Sequence, residues 1–416
     1  MENKQLKVDE KIIRTMDVYD EYERRFAQVR AERKRRSPWL EEDREQILQQ
    51  VREVLSFKEE LVPTLSDWTV MAVEQRPGFT VEHIRYQTWE NFYGAASLYS
   101  PASGGKRPLI VVCPGHAEYG RKTDLYQEMA IEIVTRGAYA LVVENIGWGE
   151  RAMQGHWNVV GPFYCGLTLE GLIIMETVAV IRHMAKQSFV DADKIGACGE
   201  SGGGEMCTFL AAMAPELAAV APCGYPAEFT YVLQKERRHC ACNLLPHVAG
   251  KIDVWEVLST FAPKPLLIEQ GQFDNLLPFD MFQRCARKVK LCYMAMGAAD
   301  KFEYFTTPTA HPWETADIRP IVDFFAKHFG LAEHQDYDFA AEKAEQAPYR
   351  VTLPEGSLDT DGLCAALTGK QIPADLQLEQ VYVPQYQGQV LEADSVLEDV
   401  GRGPVMRVFA QMESTL

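Results

Sequence analysis

The chain is expected to fold as an α/β protein: a doubly wound, mostly parallel sheet carrying an N-terminal helical arm and a small C-terminal α+β appendage. Three observations predict this. Continuous apolar runs such as Pro108-Leu109-Ile110-Val111-Val112-Cys113 suit central strands covered on both faces. Such runs alternate with helical patterns, which demands crossover connections and parallel pairing. One run, ending at Cys198, passes through Gly199-Glu200-Ser201-Gly202-Gly203 into a small-residue helix over 203–213, giving a strand, a tight turn and a helix in succession.

Taken in order, residues 1–66 are charged, rich in helix formers and form the arm. Within it Ile47, Leu48, Val51, Val54 and Leu55 recur at helical spacing, with Ser37 placed to cap and Pro38 suited to the first turn. The basic cluster Arg33-Lys34-Arg35-Arg36 reads as a solvated helix end rather than an anion site. The main domain, 67–333, opens in β texture, with strands over 81–89 and 92–99 and a turn over 101–106. A helix over 126–136 and a strand over 139–144 follow, then a loop with Gly147-Trp148-Gly149-Glu150-Arg151 and a long apolar helix over 169–184. Beyond the Ser201 turn come a strand over 217–222 and an irregular stretch, 225–261, placed to build a cap. A strand over 265–269, a helix over 282–296, a strand over 302–305 and a helix over 318–329 complete the unit. A charged linker, 335–346, leads into the appendage, 347–416, with strand-like pieces at 349–353, 379–383 and 405–410.

A chain of 416 residues with 47% apolar content can bury a sizeable core. Its net charge of −17 argues against nucleic acid as a partner, because such binders carry a positive footprint. No run of about 18 apolar residues occurs, so no membrane partner is expected. The first residues lead into alternating charges rather than the apolar core of an export signal. Ten cysteines scattered without a compact framework suit a reducing compartment, so a cytoplasmic protein is expected. The arm and the appendage are the segments through which a homo-oligomer would form.

The turn at Ser201 has the strand-to-helix setting of a Gly-x-Ser-x-Gly nucleophile elbow, in which flanking glycines let the turn close and leave the hydroxyl exposed. A serine hydroxyl needs a base, and the base needs an orienting carboxylate. Asp274 follows one late apolar strand and His311 follows the last, so serine, acid and histidine come in the order such folds use, at the carboxyl ends of strands. Asp280 and Glu303 are alternative acids. An oxyanion needs two N–H donors: Gly202 supplies one and the loop Cys113-Pro114-Gly115-His116-Ala117 the other, through His116 or Ala117. Glu200 either completes the turn or lines the pocket. Trp148 and Tyr231 are candidate substrate contacts. His239-Cys240-Ala241-Cys242 with His247 collects metal-ligating side chains, but its spacing matches no standard finger and no metal is expected there.

Together the Ser201 pentapeptide, Pro114-Gly115-His116, Gly147-Trp148-Gly149-Glu150, Cys240-Ala241-Cys242-Asn243-Leu244-Leu245-Pro246, Ala262-Pro263-Lys264-Pro265-Leu266-Leu267 and Gly271 to Asp274 resemble bacterial α/β hydrolases of the acetyl xylan esterase and dienelactone hydrolase-like group. The resemblance spans roughly residues 75–330. It implies a Ser201–Asp274–His311 triad and activity on acetyl esters of carbohydrates. Thr307-Pro308-Thr309-Ala310 stand before His311 where that group usually has glycines.

The expected function is therefore carboxylic ester hydrolysis through an acyl-enzyme on Ser201, with no cofactor, since nucleophile, base and oxyanion donors all come from the chain. Fold does not dictate the bond cleaved. A carbon–carbon hydrolase, lactonase or peptidase using the same triad, and a non-catalytic scaffold on the same fold, are the alternatives.

Overall fold

Side chains alternate along each central strand, and that alternation sets the layers. In strand β4 (Arg107–Cys113), Leu109, Val111 and Cys113 join one apolar cluster while Ile110 and Val112 join the other. All five are fully buried, so both faces of the strand are covered. The computed structural model describes residues 31, 36–229, 240–245, 248, 251–274, 276–311, 313–343 and 349–377.

The remaining strands are β1 (Ser66–Arg76), β2 (Phe79–Gln87), β3 (Tyr93–Pro101), β5 (Tyr139–Val143), β6 (Val190–Glu200), β7 (Ala219–Cys223), β8 (Leu266–Gly271) and β9 (Phe302–Thr307). They form one sheet in the order β1-β2-β3-β5-β4-β6-β7-β8-β9. The first three pair antiparallel, as does β3 with β5, and every pair from β5/β4 to β8/β9 is parallel. The strands expected between 81 and 305 are present to within a few residues; β1 went unresolved in the sequence because it is a half-exposed edge. Its Val70 and Val73 are 43% and 53% exposed, so no buried face imposes an apolar alternation.

One face is covered by α2 (Asp124–Thr135) and α8 (Thr315–Phe329), whose Met129, Ile133, Phe325 and Phe329 pack on β4 and β6. The other is covered by α1 (Glu41–Leu55), α4 (Leu169–Ala185), α5 (Gly202–Met213), α6 (Val254–Ser259) and α7 (Phe279–Ala295). The helix α1 begins at Glu41, not at Ser37: Ser37 and Pro38 lie in the preceding turn, where the Ser37 N–H donates to Asp43 Oδ2 at 2.7 Å. Arg36 also departs from expectation. It is only 8% exposed and lies 3.5 Å from Glu256, a buried pair rather than a solvated helix end, while Arg33 to Arg35 fall outside the described residues.

The linker contains α9 (Phe339–Glu342), and residues 349–377 run back over the main body. No strand forms at 349–353; there the N–H of Val351 donates to Glu150 Oε1 at 3.0 Å, because a side-chain carboxylate rather than a neighbouring strand receives the backbone. Asp361 at the start of α10 (Thr360–Thr368) accepts from the N–H groups of Val160 and Gly161 at 3.0 and 2.7 Å, capping α3 (Gly161–Cys165). Leu363 and Cys364 enter the main core. The strand-like pieces at 379–383 and 405–410 lie outside the described residues, as does most of the arm. Among the described residues no helix is long and apolar enough to cross a membrane, and none of the ten cysteines is in a disulfide.

Ile47, Val51, Val54 and Leu55 insert from α1 into the core, and the Leu55 carbonyl receives the Thr168 hydroxyl at 2.7 Å. The α1 segment is thus part of the fold, not an accessory to it. Leu55→Ala should destabilise the full chain by about 2–5 kcal/mol in urea unfolding; a loss under about 0.5 kcal/mol would mean that α1 does not dock.

Candidate active site

The strand β6 ends at Glu200 and α5 begins at Gly202, leaving Ser201 alone on the turn with φ 57° and ψ −117°. A non-glycine residue at positive φ costs of order 1–3 kcal/mol and persists only where its surroundings impose it. Here the Ser201 N–H donates to the Cys223 carbonyl at 3.0 Å and the Glu205 N–H donates to the Ser201 carbonyl at 2.9 Å. The turn is pressed against the end of β4. A Cβ on Gly203 would stand 1.8 Å from the Cys113 carbonyl oxygen, and one on Gly115 would stand 3.0 Å from Ser201 Cβ and 2.6 Å from the Glu200 oxygen. These glycines are required because two backbones meet there.

Two loops bring in the partners. Past β8 and β9 the ladder continues, with the Gln272 N–H donating to the Thr307 carbonyl at 2.8 Å and that of Phe273 to the Thr309 carbonyl at 3.0 Å. Asp274 and His311 ride on these extensions. His311 Nδ1 lies 2.8 Å from Asp274 Oδ2, and Asp274 Oδ1 accepts the N–H groups of Leu276 and Leu277 at 2.7 and 3.0 Å. That leaves Asp274 Oδ2 to orient the ring. A Cβ on Gly224 would lie 3.4 Å from Ser201 N and 3.5 Å from His311 Cε1, so the elbow and the imidazole flank one point. Asp280 pairs instead with Arg284 on a helix surface, and Glu303 lies 2.8 Å from Lys327.

Glu200 is inside the site. Its Oε1 lies 3.3 Å from His311 Nε2, and its Oε2 receives the Tyr126 hydroxyl at 3.2 Å. That hydroxyl accepts the Gly115 N–H at 2.6 Å, so the Gly115 amide is engaged. Burial raises the Glu200 carboxyl above its usual range, against the opposing pull of His311 and Tyr126. Tyr126 was visible in the sequence only as a helix residue.

The His116 ring lies 3.0 Å from where a Gly202 Cβ would be and stacks on Trp148, with centroids 4.9 Å apart and planes 23° from parallel. Trp157, 43% exposed, stands 6.2 Å from Trp148 edge-on and extends this aromatic wall to the surface. The structure adds His156, which no motif marked, at 4.8 Å from His116. Cys240 and Cys242 also reach His116, each Sγ 3.5 Å from Nε2. Burial works against charge on His116, but the Cys240 sulfur and the Glu200 carboxylate together outweigh it and the ring's pKa is raised. The expected companions His239 and His247 fall outside the described residues, as does Tyr231.

The topology and the elbow place the chain. It has the α/β-hydrolase fold. The family model described as the prolyl oligopeptidase family, Peptidase_S9, matches residues 173–237, the segment from α4 through the elbow and β7. A curated protein, "Putative hydrolase YtaP" of Bacillus subtilis (strain 168), is 25% identical over 191 residues, covering 45% of this chain and 64% of that one. Among solved structures, "Methylesterase BT1017" aligns with a TM-score of 0.62 and 24% identity over 78% of this chain and 73% of its own. A glucuronoyl esterase from Solibacter usitatus gives 0.54 at 14% identity, over 70% and 93% of the two chains. Acetyl xylan esterase 1 from a Thermoanaerobacterium species gives 0.50 at 14%, over 68% and 93%. At these identities the solved structures establish the shared hydrolase fold.

The raised Glu200 pKa has a measurable consequence. Because the folded state holds this proton more tightly than the unfolded chain, the associated stability is present below about pH 4.5 and is lost as pH rises through the folded value. Urea unfolding from pH 4.5 to 7.5 should show wild type losing stability relative to Glu200→Gln; parallel curves would refute a raised pKa.

Proposed function

We propose that this protein is a serine-dependent carboxylic ester hydrolase. The observation that carries the reading is Ser201 on a strained elbow beside the His311–Asp274 pair. Ser201 Oγ attacks the ester carbonyl while His311 Nε2 takes its proton, and Asp274 holds Nδ1–H and stabilises the imidazolium. The N–H of Gly202 at the start of α5, with one from the His116–Ala117 loop, receives the oxyanion. His311 then returns the proton to the leaving alcohol, and water releases the acyl group by the same route in reverse.

The substrate class rests on two supports. Solved structures that share the fold include ones named as a methylesterase, a glucuronoyl esterase and an acetyl xylan esterase. The wall of Trp148 and Trp157 beside the oxyanion loop offers flat apolar faces of the kind that receive a sugar ring. A short acyl or methyl ester on a carbohydrate fits both. The peptidase family match covers the elbow scaffold rather than this wall, so it bears on the nucleophile and not on the bond cleaved.

A fluorophosphonate probe should label the folded protein at Ser201, and Ser201→Ala should lose labelling and lower kcat on acetylated or methyl-esterified sugars by at least about a thousandfold. Asp274→Asn should cost about a hundredfold or more. Wild-type turnover in Ser201→Ala would refute the mechanism, absence of labelling would favour a non-catalytic scaffold, and cleavage of amides alone would overturn the ester assignment.

A further inference from the structure

Four side chains that the proposed hydrolysis does not use converge beside the oxyanion loop: His116, His156, Cys240 and Cys242. Their ligating atoms all lie within 4.8 Å of one another, and all but His116 are buried. They come from three loops at the carboxyl ends of β4, β5 and β7. We propose that they form a structural zinc site that ties these loops together over the active site.

The donor set is two thiols and two imidazoles, the combination that selects tetrahedral zinc. With zinc–sulfur bonds of about 2.3 Å and zinc–nitrogen bonds of about 2.0 Å, a tetrahedral site sets sulfur and nitrogen about 3.5 Å apart. Both Cys240 Sγ and Cys242 Sγ stand 3.5 Å from His116 Nε2. The two sulfurs are 2.7 Å apart, beyond the about 2.05 Å of a disulfide. An ion between them would part them to about 3.7 Å by the same geometry.

The surroundings are built as a metal site's usually are. His156, 2% exposed, directs Nδ1 at the Ile146 carbonyl at 2.7 Å, which fixes the tautomer and leaves the Nε2 lone pair for the cluster. That Nε2 is buried and makes no hydrogen bond among the described residues. Asn243 Nδ2 donates to both sulfurs at 3.4 Å, the contact that stabilises metal-bound thiolates. Four protein ligands close the coordination sphere, so the ion is structural rather than a water activator. Binding displaces the two thiol protons to solvent. In the sequence Cys240 and Cys242 cluster only with His239 and His247, at a spacing from which no metal is expected; the fold supplies His116 and His156, which are 124 and 84 positions from Cys240 and invisible to any spacing rule.

The site stands apart from the ester reading and is tested without activity. Full-length protein produced with zinc supplementation should carry about one zinc per chain, with an X-ray absorption shell of two sulfurs and two nitrogens. Chelation should lower Tm, zinc should restore it, and two of the ten thiols should become reactive only after chelation. His156→Ala, which leaves the oxyanion loop and both sulfurs in place, should weaken zinc binding at least about tenfold. The proposal fails if zinc neither copurifies nor raises the Tm of chelator-treated protein, or if peptide mapping finds a Cys240–Cys242 disulfide. It fails equally if the shell holds one sulfur and several oxygens, which would place the ion among Cys242, Glu170 and Glu205.

Discussion

Everything in the site depends on how closely the end of β4 approaches the elbow. With the Cys113 carbonyl pressed on Gly203 and Gly115 pressed on Ser201, the turn has no room to relax to negative φ. The strain at Ser201 is thus held by backbone packing in the sheet's middle. The same approach brings the start of α5 against the loop after β4, where the His116 ring lies 3.0 Å from where a Gly202 Cβ would be.

The His311–Asp274 pair depends on a second, independent device. Asp274 and His311 lie on loops, yet both loops are extensions of the β8/β9 ladder, and a Cβ on Gly271 would fall 2.2 Å from the Ala310 carbonyl. The glycines that usually precede such a histidine are absent here, and Gly271 on the neighbouring strand gives the clearance instead. Glu200 and Tyr126 join the two devices, since Tyr126 contacts the Gly115 amide and Glu200, and Glu200 in turn reaches His311. A buried carboxyl at that junction contacts the ring directly and the loop through Tyr126.

The central strands, the elbow and the triad order were legible because each has a local cause: unbroken apolar runs, clustered glycines, and polar residues at strand ends. The edge strand β1 was not, since nothing buries one face of it throughout. Arg36 was misread because its partner Glu256 lies 220 positions away, and no local pattern announces a buried pair. The piece at 349–353 has strand-forming residues, but the Glu150 carboxylate takes the Val351 N–H in place of a ladder partner.

The sequence by itself determined the strand-to-helix turn at Ser201 and the polar residues that follow the late strands, because clustered glycines permit the turn's conformation and unbroken apolar runs mark the strands. Only the tertiary structure decided which of them meet. Asp274 rather than Asp280 or Glu303 faces His311, Glu200 turns inward, and His156 joins Cys240 and Cys242. Those outcomes follow from strand order, which brings the ends of β4, β5, β6, β7 and β8 to one rim and so makes neighbours of residues that the chain keeps far apart.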